Sequence, residues 1–184
     1  MHPWHDVYVD EQLLAEALPV IIEVPKGSKN KYELDKETGL LKLDRVLYSA
    51  VHYPANYGFI PRTFCDDGDP LDALVLSQEP VHPLTLMHAR PVAVMKMRDE
   101  KGLDDKIIAV SAGDPHYEDV KDLQDLQKHV VREMKRFFED YKTLENKEVV
   151  VDEPLGIEET MATLRESMDL YRKLRRGEVR VSSD

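Results

Sequence analysis

The spacing of hydrophobic positions changes once along this chain. Up to about residue 111 they come in short, largely β-branched bursts bounded by proline, glycine and charge; from Leu123 onward they recur every three or four residues. Residues 20–24 (Val-Ile-Ile-Glu-Val) lie between Pro19 and Pro25 and read as a strand. Residues 31–35 and 40–43 flank Lys36-Glu37-Thr38-Gly39, a good hairpin turn. Further strands are expected at 46–51, 73–76, 92–97 and 106–110, with 99–105 as a turn between the last two. Ahead of them, residues 1–17 read as a short polar arm ending in a helical fragment, 11–18, stopped by Pro19.

In the last third, residues 123–142 place Leu126, Val130, Met134, Phe137 and Tyr141 on one helical face. Residues 149–151 predict a brief return strand. Ile157, Met161, Leu164, Met168, Tyr171 and Leu174 make a second stripe. Its basic end, Arg172 to Arg176 before Gly177, suits a solvated helix C-terminus, where cations meet the negative end of the helix dipole. Six or seven close-spaced strands with no helix between them predict a barrel or sandwich rather than a βαβ sheet. The class is α+β with a mainly β core. Without repeats, low-complexity stretches or a linker, the chain reads as one domain, 1–184: arm 1–18, barrel core 19–111, helical flank 122–176.

The chain has 184 residues, 36 acidic and 25 basic, for a net charge of −11. That balance disfavours nucleic acid and anionic lipid as partners, since both need a basic face. It leaves an anionic substrate open, provided that metal ions stand between the two. No apolar run approaches the ~20 residues needed to span a bilayer. The first residues lack the basic and apolar regions of a secretory signal. The lone cysteine, Cys65, allows no intramolecular disulfide, and the cytoplasm is the expected location. Its acidic neighbours Asp66 and Asp67 discourage the thiolate, so Cys65 reads as a small buried hydrophobe.

The sharpest local feature is Cys65-Asp66-Asp67-Gly68-Asp69-Pro70-Leu71-Asp72-Ala73. Its carboxylates repel one another unless something positive holds them. An exposed acidic turn is the plain alternative. However, the loop runs directly into the apolar strand 73–76, which puts Asp72 at the mouth of a core strand. An EF-hand beginning at Asp67 would need an oxygen ligand where Leu71 stands and a glutamate where Gln78 stands. A second acidic group follows: Asp99, Glu100, Asp104 and Asp105, then Lys106. Two such turns meeting at one end of a barrel would give an all-oxygen ligand set suited to Mg²⁺ or Mn²⁺. Hard cations held together lower the pKa of a shared water, which is machinery for cleaving a phosphate ester or anhydride. Cations and donors for phosphoryl oxygens are at hand in Lys31 (with Glu33 on the same strand face), Arg45, Tyr53, Tyr57, Tyr141 and Lys142. Taken singly, each has an ordinary surface or core explanation.

Taken together, these residues resemble the soluble family I inorganic pyrophosphatases, prokaryotic type. The family hallmark Asp-Gly/Ser-Asp-Pro-hydrophobic-Asp is present as Asp67-Gly68-Asp69-Pro70-Leu71-Asp72. Around it, in order, stand Ile22-Glu23-Val24-Pro25, Asn30-Lys31-Tyr32-Glu33, Leu43-Asp44-Arg45, Tyr53-Pro54-Ala55-Asn56-Tyr57-Gly58, Asp99-Glu100 with Asp104-Asp105-Lys106, and Phe137-Phe138-Glu139-Asp140-Tyr141-Lys142.

The resemblance implies a five-stranded, OB-like closed barrel flanked by two C-terminal helices. It implies hydrolysis of pyrophosphate to two orthophosphates by direct attack of a metal-activated water, which drives pyrophosphate-releasing biosynthesis. Several Mg²⁺ ions are implied, with Mn²⁺ or other divalents as substitutes. Asp67, Asp72 and Asp104 would hold the first, Asp72 facing the second as well, with Asp99 and Asp104 on a substrate-borne ion and Glu23 on a further one. Lys31, Arg45, Tyr57, Tyr141 and Lys142 would grip the phosphates, with Lys106 nearby. Asp69 would be the general base, or the group that orients the nucleophilic water, and Glu33 and Tyr53 would support the site. Short chains of this type are expected as homohexamers, a dimer being the alternative. Two other functions compete: a metal- or phosphate-binding module that has lost the reaction, against which Asp69, Lys31 and Arg45 argue, and a nucleotide phosphohydrolase, for which no base pocket is evident.

Overall fold

The computed structural model describes residues 1–180. The remaining four residues of the expected 1–184 domain lie outside the described residues. In chain order the elements are α1 (Leu14–Ala17), β1 (Leu18–Val24), β2 (Asn30–Leu34), β3 (Leu41–Val46), β4 (Asn56–Phe59), β5 (Asp72–Leu76), β6 (Leu86–Met95), β7 (Met97–Asp99), β8 (Gly102–Leu103), β9 (Lys106–Ser111), α2 (Lys128–Asp140), β10 (Val150–Val151) and α3 (Ile157–Arg175).

Five strands close a barrel in the order β1-β4-β5-β9-β6. All pairings are antiparallel except β5 with β9. This is the expected OB-like barrel with two C-terminal helices. Its strands are apolar because both faces are covered: Val20, Ile22, Ala73, Val75, Ile107 and Ala109 pack towards α1 and α3, while Val24, Leu74, Leu76, Ile108 and Val110 join a cluster with Phe137 and Phe138 of α2. The β2–β3 hairpin is a separate two-stranded ribbon, and β10, β7 and β8 form a small sheet.

Several expectations are corrected. The strand expected at 46–51 ends at Val46, and residues 47–51 are loop. Leu47 sinks into the core and bonds the Lys29 carbonyl instead of pairing as a strand. The predicted 11–18 helix shrinks to one turn; Leu18 and Pro19 are instead the first residues of β1, opposite Ala89 and His88. The 123–142 helix begins only at Lys128. Before it, Leu123–Asp125 is a 3₁₀ turn closed by a reciprocal capping box between Asp122 and Asp125. Residues 53–58, whose proline and glycine suggest a turn, continue into β4, an interior strand of the barrel. There Gly58 is required: a Cβ would lie 1.9 Å from the Ile21 carbonyl oxygen, at the β1 bulge between Ile22 and Val24.

The N-terminal arm is not simply polar. Trp4 is 2% exposed, donates its indole N–H to the Thr63 carbonyl at 2.8 Å, and packs on Phe64 and Tyr171. His2 reaches the Lys36 carbonyl at 2.9 Å, so the arm braces the hairpin turn. Cys65 is half-buried against the core, and burial, followed by the charge of Asp67, pushes its thiol pKa well up.

Candidate active site

Register brings the first pair of site residues together. In the parallel pairing of β5 with β9, Asp72 lies opposite Lys106, so both side chains leave the barrel at the same rim. The Lys106 ammonium donates to Asp72 Oδ2 at 2.5 Å and also to Asp104. Tyr57, on the neighbouring β4, donates its hydroxyl to the same Asp72 oxygen at 2.6 Å. Lys106 is 2% exposed and stands 5.7 Å from the ring centres of both Tyr57 and Phe138. Burial disfavours its charge, but Asp104 and Asp72 outweigh this and hold its pKa well above the ordinary lysine value.

The acidic loop is folded tightly by its own backbone. Gly68 takes φ +88°, a conformation that favours glycine. The Asp69 N–H donates to Asp67 Oδ1 at 3.0 Å, and the Cys65 N–H to the Asp69 carbonyl at 2.8 Å. Asp67 is pushed up to about 7, by burial first and then by the charges of Asp72 and Asp69. Glu23, on β1, is buried and accepts the Leu34 N–H at 2.6 Å. Burial and then Asp72 push its pKa up to about 8. This wall concentrates carboxylates, with the Lys106 ammonium set deepest within it.

The hairpin and the end of α2 bring the cations. Lys31 lies opposite Arg45 across β2 and β3; it pairs with Glu33 and lies 3.5 Å from Asp44. Arg45 pairs with Asp44 and lies 3.0 Å from Glu145. At the helix end, Tyr141 is buried and Lys142 donates to Asp99 Oδ2 at 2.6 Å. Burial pushes the Tyr141 phenol up, so it stays protonated and can donate.

The candidate side chains, Tyr53 excepted, line one cavity of about 600 Å³. Glu23, Lys31, Glu33, Arg45, Tyr57, Asp67, Asp69, Asp72, Asp99, Asp104, Lys106, Tyr141 and Lys142 are all on its wall, so the two acidic turns do converge. Tyr53 is not on that wall. It lies behind, buried between the rings of Tyr57 and Phe137 at 5.1 and 4.7 Å. Among the described residues no three acids, histidines or cysteines already converge on one centre as a ligand set. Asp72, Asp104 and Asp99 are instead tied to lysines. The donor chemistry nevertheless fits hard divalent cations: the wall offers carboxylates, with no histidine or cysteine among its lining residues.

The structure adds residues that local sequence reading missed. Lys36, on the hairpin turn, pairs with Asp69 and donates to the Gly68 carbonyl at 3.0 Å. Lys147 lies 2.9 Å from Glu100, and Glu145 reaches Arg45. No short-range pattern marks such pairings, because each joins segments distant in the chain.

Comparison with known proteins follows the same outline. A family model described as inorganic pyrophosphatase matches residues 20–172. The chain is 52% identical over 172 residues to soluble inorganic pyrophosphatase 2 of Chlamydomonas reinhardtii, covering 94% of this chain and 89% of the relative. It is 54% identical over 170 residues to the soluble inorganic pyrophosphatase of Oryza sativa subsp. indica, covering 92% and 79%. Its fold matches the solved inorganic pyrophosphatase of Helicobacter pylori with a TM-score of 0.86 at 46% identity, over 91% of this chain and 99% of that one.

Proposed function

The chain belongs to the inorganic pyrophosphatase family, and from that we propose that its acidic cavity hydrolyses inorganic pyrophosphate to two orthophosphates by direct attack of water. The observation that carries this reading is the meeting, in one cavity, of the Asp67–Asp72 loop with the Asp99–Asp104 turn and a ring of lysine, arginine and tyrosine donors.

Asp67, Asp72 and Asp104 would hold Mg²⁺, with Asp99 and Glu23 serving further ions and Mn²⁺ as a substitute. Such ions, when bound, neutralise pyrophosphate and bring the pKa of an attacking water towards neutrality. The chain's own residues do the rest. Lys31, Arg45, Tyr57, Tyr141 and Lys142, with Lys106 nearby, bind the phosphoryl oxygens and fix the phosphorus relative to the acidic loop. Asp69 takes the proton of the incoming water as the new P–O bond forms. The bridging P–O bond breaks, and its electron pair leaves on the departing orthophosphate, whose charge the lysines stabilise. Lys106 and Tyr57 hold Asp72 in place, Glu33 holds Lys31, and Tyr53 packs behind Tyr57. No side-chain nucleophile is needed.

The proposal extends to a single domain over 1–184, a homohexamer (with a dimer as the alternative) and a cytoplasmic location. The lone cysteine agrees with a reducing compartment. The reading of Asp69 is tested by Asp69→Asn, which is expected to lower kcat by about a hundredfold or more. Its urea unfolding midpoint should stay at the wild-type value, because Asp69 is partly exposed. Orthophosphate release at the wild-type rate from this variant would remove Asp69 from the role of base.

A further inference from the structure

Glu145 lies on the 3₁₀ turn Thr143–Glu145, directly after Lys142, and its side chain is only 9% exposed. Its Oε1 stands 3.0 Å from Arg45 Nε, across the cavity mouth on the β2–β3 hairpin. Asp44 grips the same guanidinium at Nη1. A long, half-buried side chain on the ribbon is thus clamped between two carboxylates. One comes from its own strand and one from the far side of the site.

The turn that carries Glu145 is itself fixed. Asn146 closes it in a left-handed conformation at φ +57°, donating its N–H to the Thr143 carbonyl at 3.1 Å. Lys142, at its start, bonds Asp99 Oδ2 at 2.6 Å, and Lys147, just past its end, lies 2.9 Å from Glu100. One turn therefore links the helix end, the second acidic turn and the hairpin. Glu145 is its only link to Arg45.

We propose that Glu145 is a positioning residue for pyrophosphate hydrolysis, holding the Arg45 guanidinium in the orientation that presents it to the substrate's phosphoryl oxygens. The proposal rests on the reading of Arg45 as a phosphate-binding group. Its physical basis is pre-organisation. A guanidinium is a planar fork whose value against phosphate depends on angle, and a free arginine side chain must give up several rotatable bonds to reach that angle. A buried carboxylate 3.0 Å from Nε, paired with it by charge, holds the guanidinium in place before substrate arrives.

The test is kcat and KM for pyrophosphate in Glu145→Ala, Glu145→Gln, Arg45→Ala and the double variant Arg45→Ala/Glu145→Ala. Glu145→Ala is expected to lower kcat/KM by roughly ten- to a hundredfold, the scale of a misplaced binding group. Glu145→Gln, which keeps the shape and removes the charge of this ion pair, is expected to show most of the same loss, whereas Glu145→Asp, which keeps the charge, should recover part of it. In the Arg45→Ala background, Glu145→Ala should cost nothing more, because the interaction it served is already gone. Glu145→Met keeps the volume and removes the charge, and gives the same answer should the alanine variant fail to fold. The inference is overturned if Glu145→Ala leaves kcat/KM unchanged, or if its loss persists in full in the Arg45→Ala background, which would mean that Glu145 acts by packing the turn. Unaltered kinetics in Arg45→Ala alone would overturn the reading of Arg45 first, and the role of Glu145 with it.

Discussion

Lys106→Met is expected to destabilise the protein by about 3–5 kcal/mol, the cost of leaving buried charge uncompensated. The same variant should lower kcat by roughly a hundred- to a thousandfold, the scale for losing one electrostatic stabiliser in a dry site. Lys106 is the most deeply set ammonium of the acidic wall, donating to Asp72 and Asp104 while enclosed by Tyr57 and Phe138. Methionine keeps most of the length and packing and removes the charge together with its N–H donors. Asp72 and Asp104 would then repel each other with no counter-ion. Urea unfolding with and without divalent cation separates the two effects. Mg²⁺ should recover a larger share of stability in the variant than in the wild type, because a ligand that binds only the folded form stabilises it. A variant as stable as wild type in chelator would show that the Asp72–Lys106–Asp104 triad does not hold the rim together.

Asp72→Asn is expected to be nearly as damaging to turnover and much milder for the fold. Asp72 Oδ2 accepts from the Tyr57 hydroxyl at 2.6 Å and from Lys106 at 2.5 Å, and an asparagine oxygen can still accept both. What it cannot supply is the charge that the proposal assigns to two cations. Losing several kcal/mol of charge stabilisation in the transition state corresponds to about a thousandfold in kcat. Calorimetric titration with Mg²⁺ should show weakened binding in the same variant. The control is Asp66→Asn, in the same loop: Asp66 is exposed and stands off the cavity wall, so its removal should change neither property. Equal losses in the two variants would mean that overall loop charge, rather than the Asp72 carboxylate, is what matters.

The barrel was legible where the strands are β-branched and covered on both faces, as at β1, β5 and β9. It was illegible at β4, whose four residues Asn-Tyr-Gly-Phe follow Tyr-Pro-Ala and carry the signature of a turn. Gly58 looks like a turn residue from the sequence, but its reason is the approach of β1, a tertiary fact. Residues 46–51 failed in the opposite way. They have strand composition, but Leu47 is used as a core plug beside an exposed Tyr48, with no ladder partner. In the arm, one buried tryptophan outweighs its polar neighbours, and a single aromatic gives no periodicity to read.

The site divides along the same line. Asp67 to Asp72 is a local pattern forced by loop chemistry, and Lys31 with Glu33 follows from strand alternation. The partnerships Lys36–Asp69 and Glu145–Arg45 follow from how the hairpin lies over the barrel mouth, and spacing alone does not contain them. The net charge of −11 disfavours a basic nucleic-acid face, but it is silent on an anion met through metal ions. At the cavity, the acids and the ring of lysines alternate within a few ångströms, and divalent cations would reverse the sign where the substrate sits.

The most direct measurement is orthophosphate release by the wild-type chain from pyrophosphate with Mg²⁺, run beside a chelator control and beside a nucleoside triphosphate. The expected result is two orthophosphates per pyrophosphate, a rate abolished by the chelator, and much slower release from the triphosphate. No orthophosphate from pyrophosphate at saturating Mg²⁺ would contradict the assignment of this cavity as a pyrophosphatase active site.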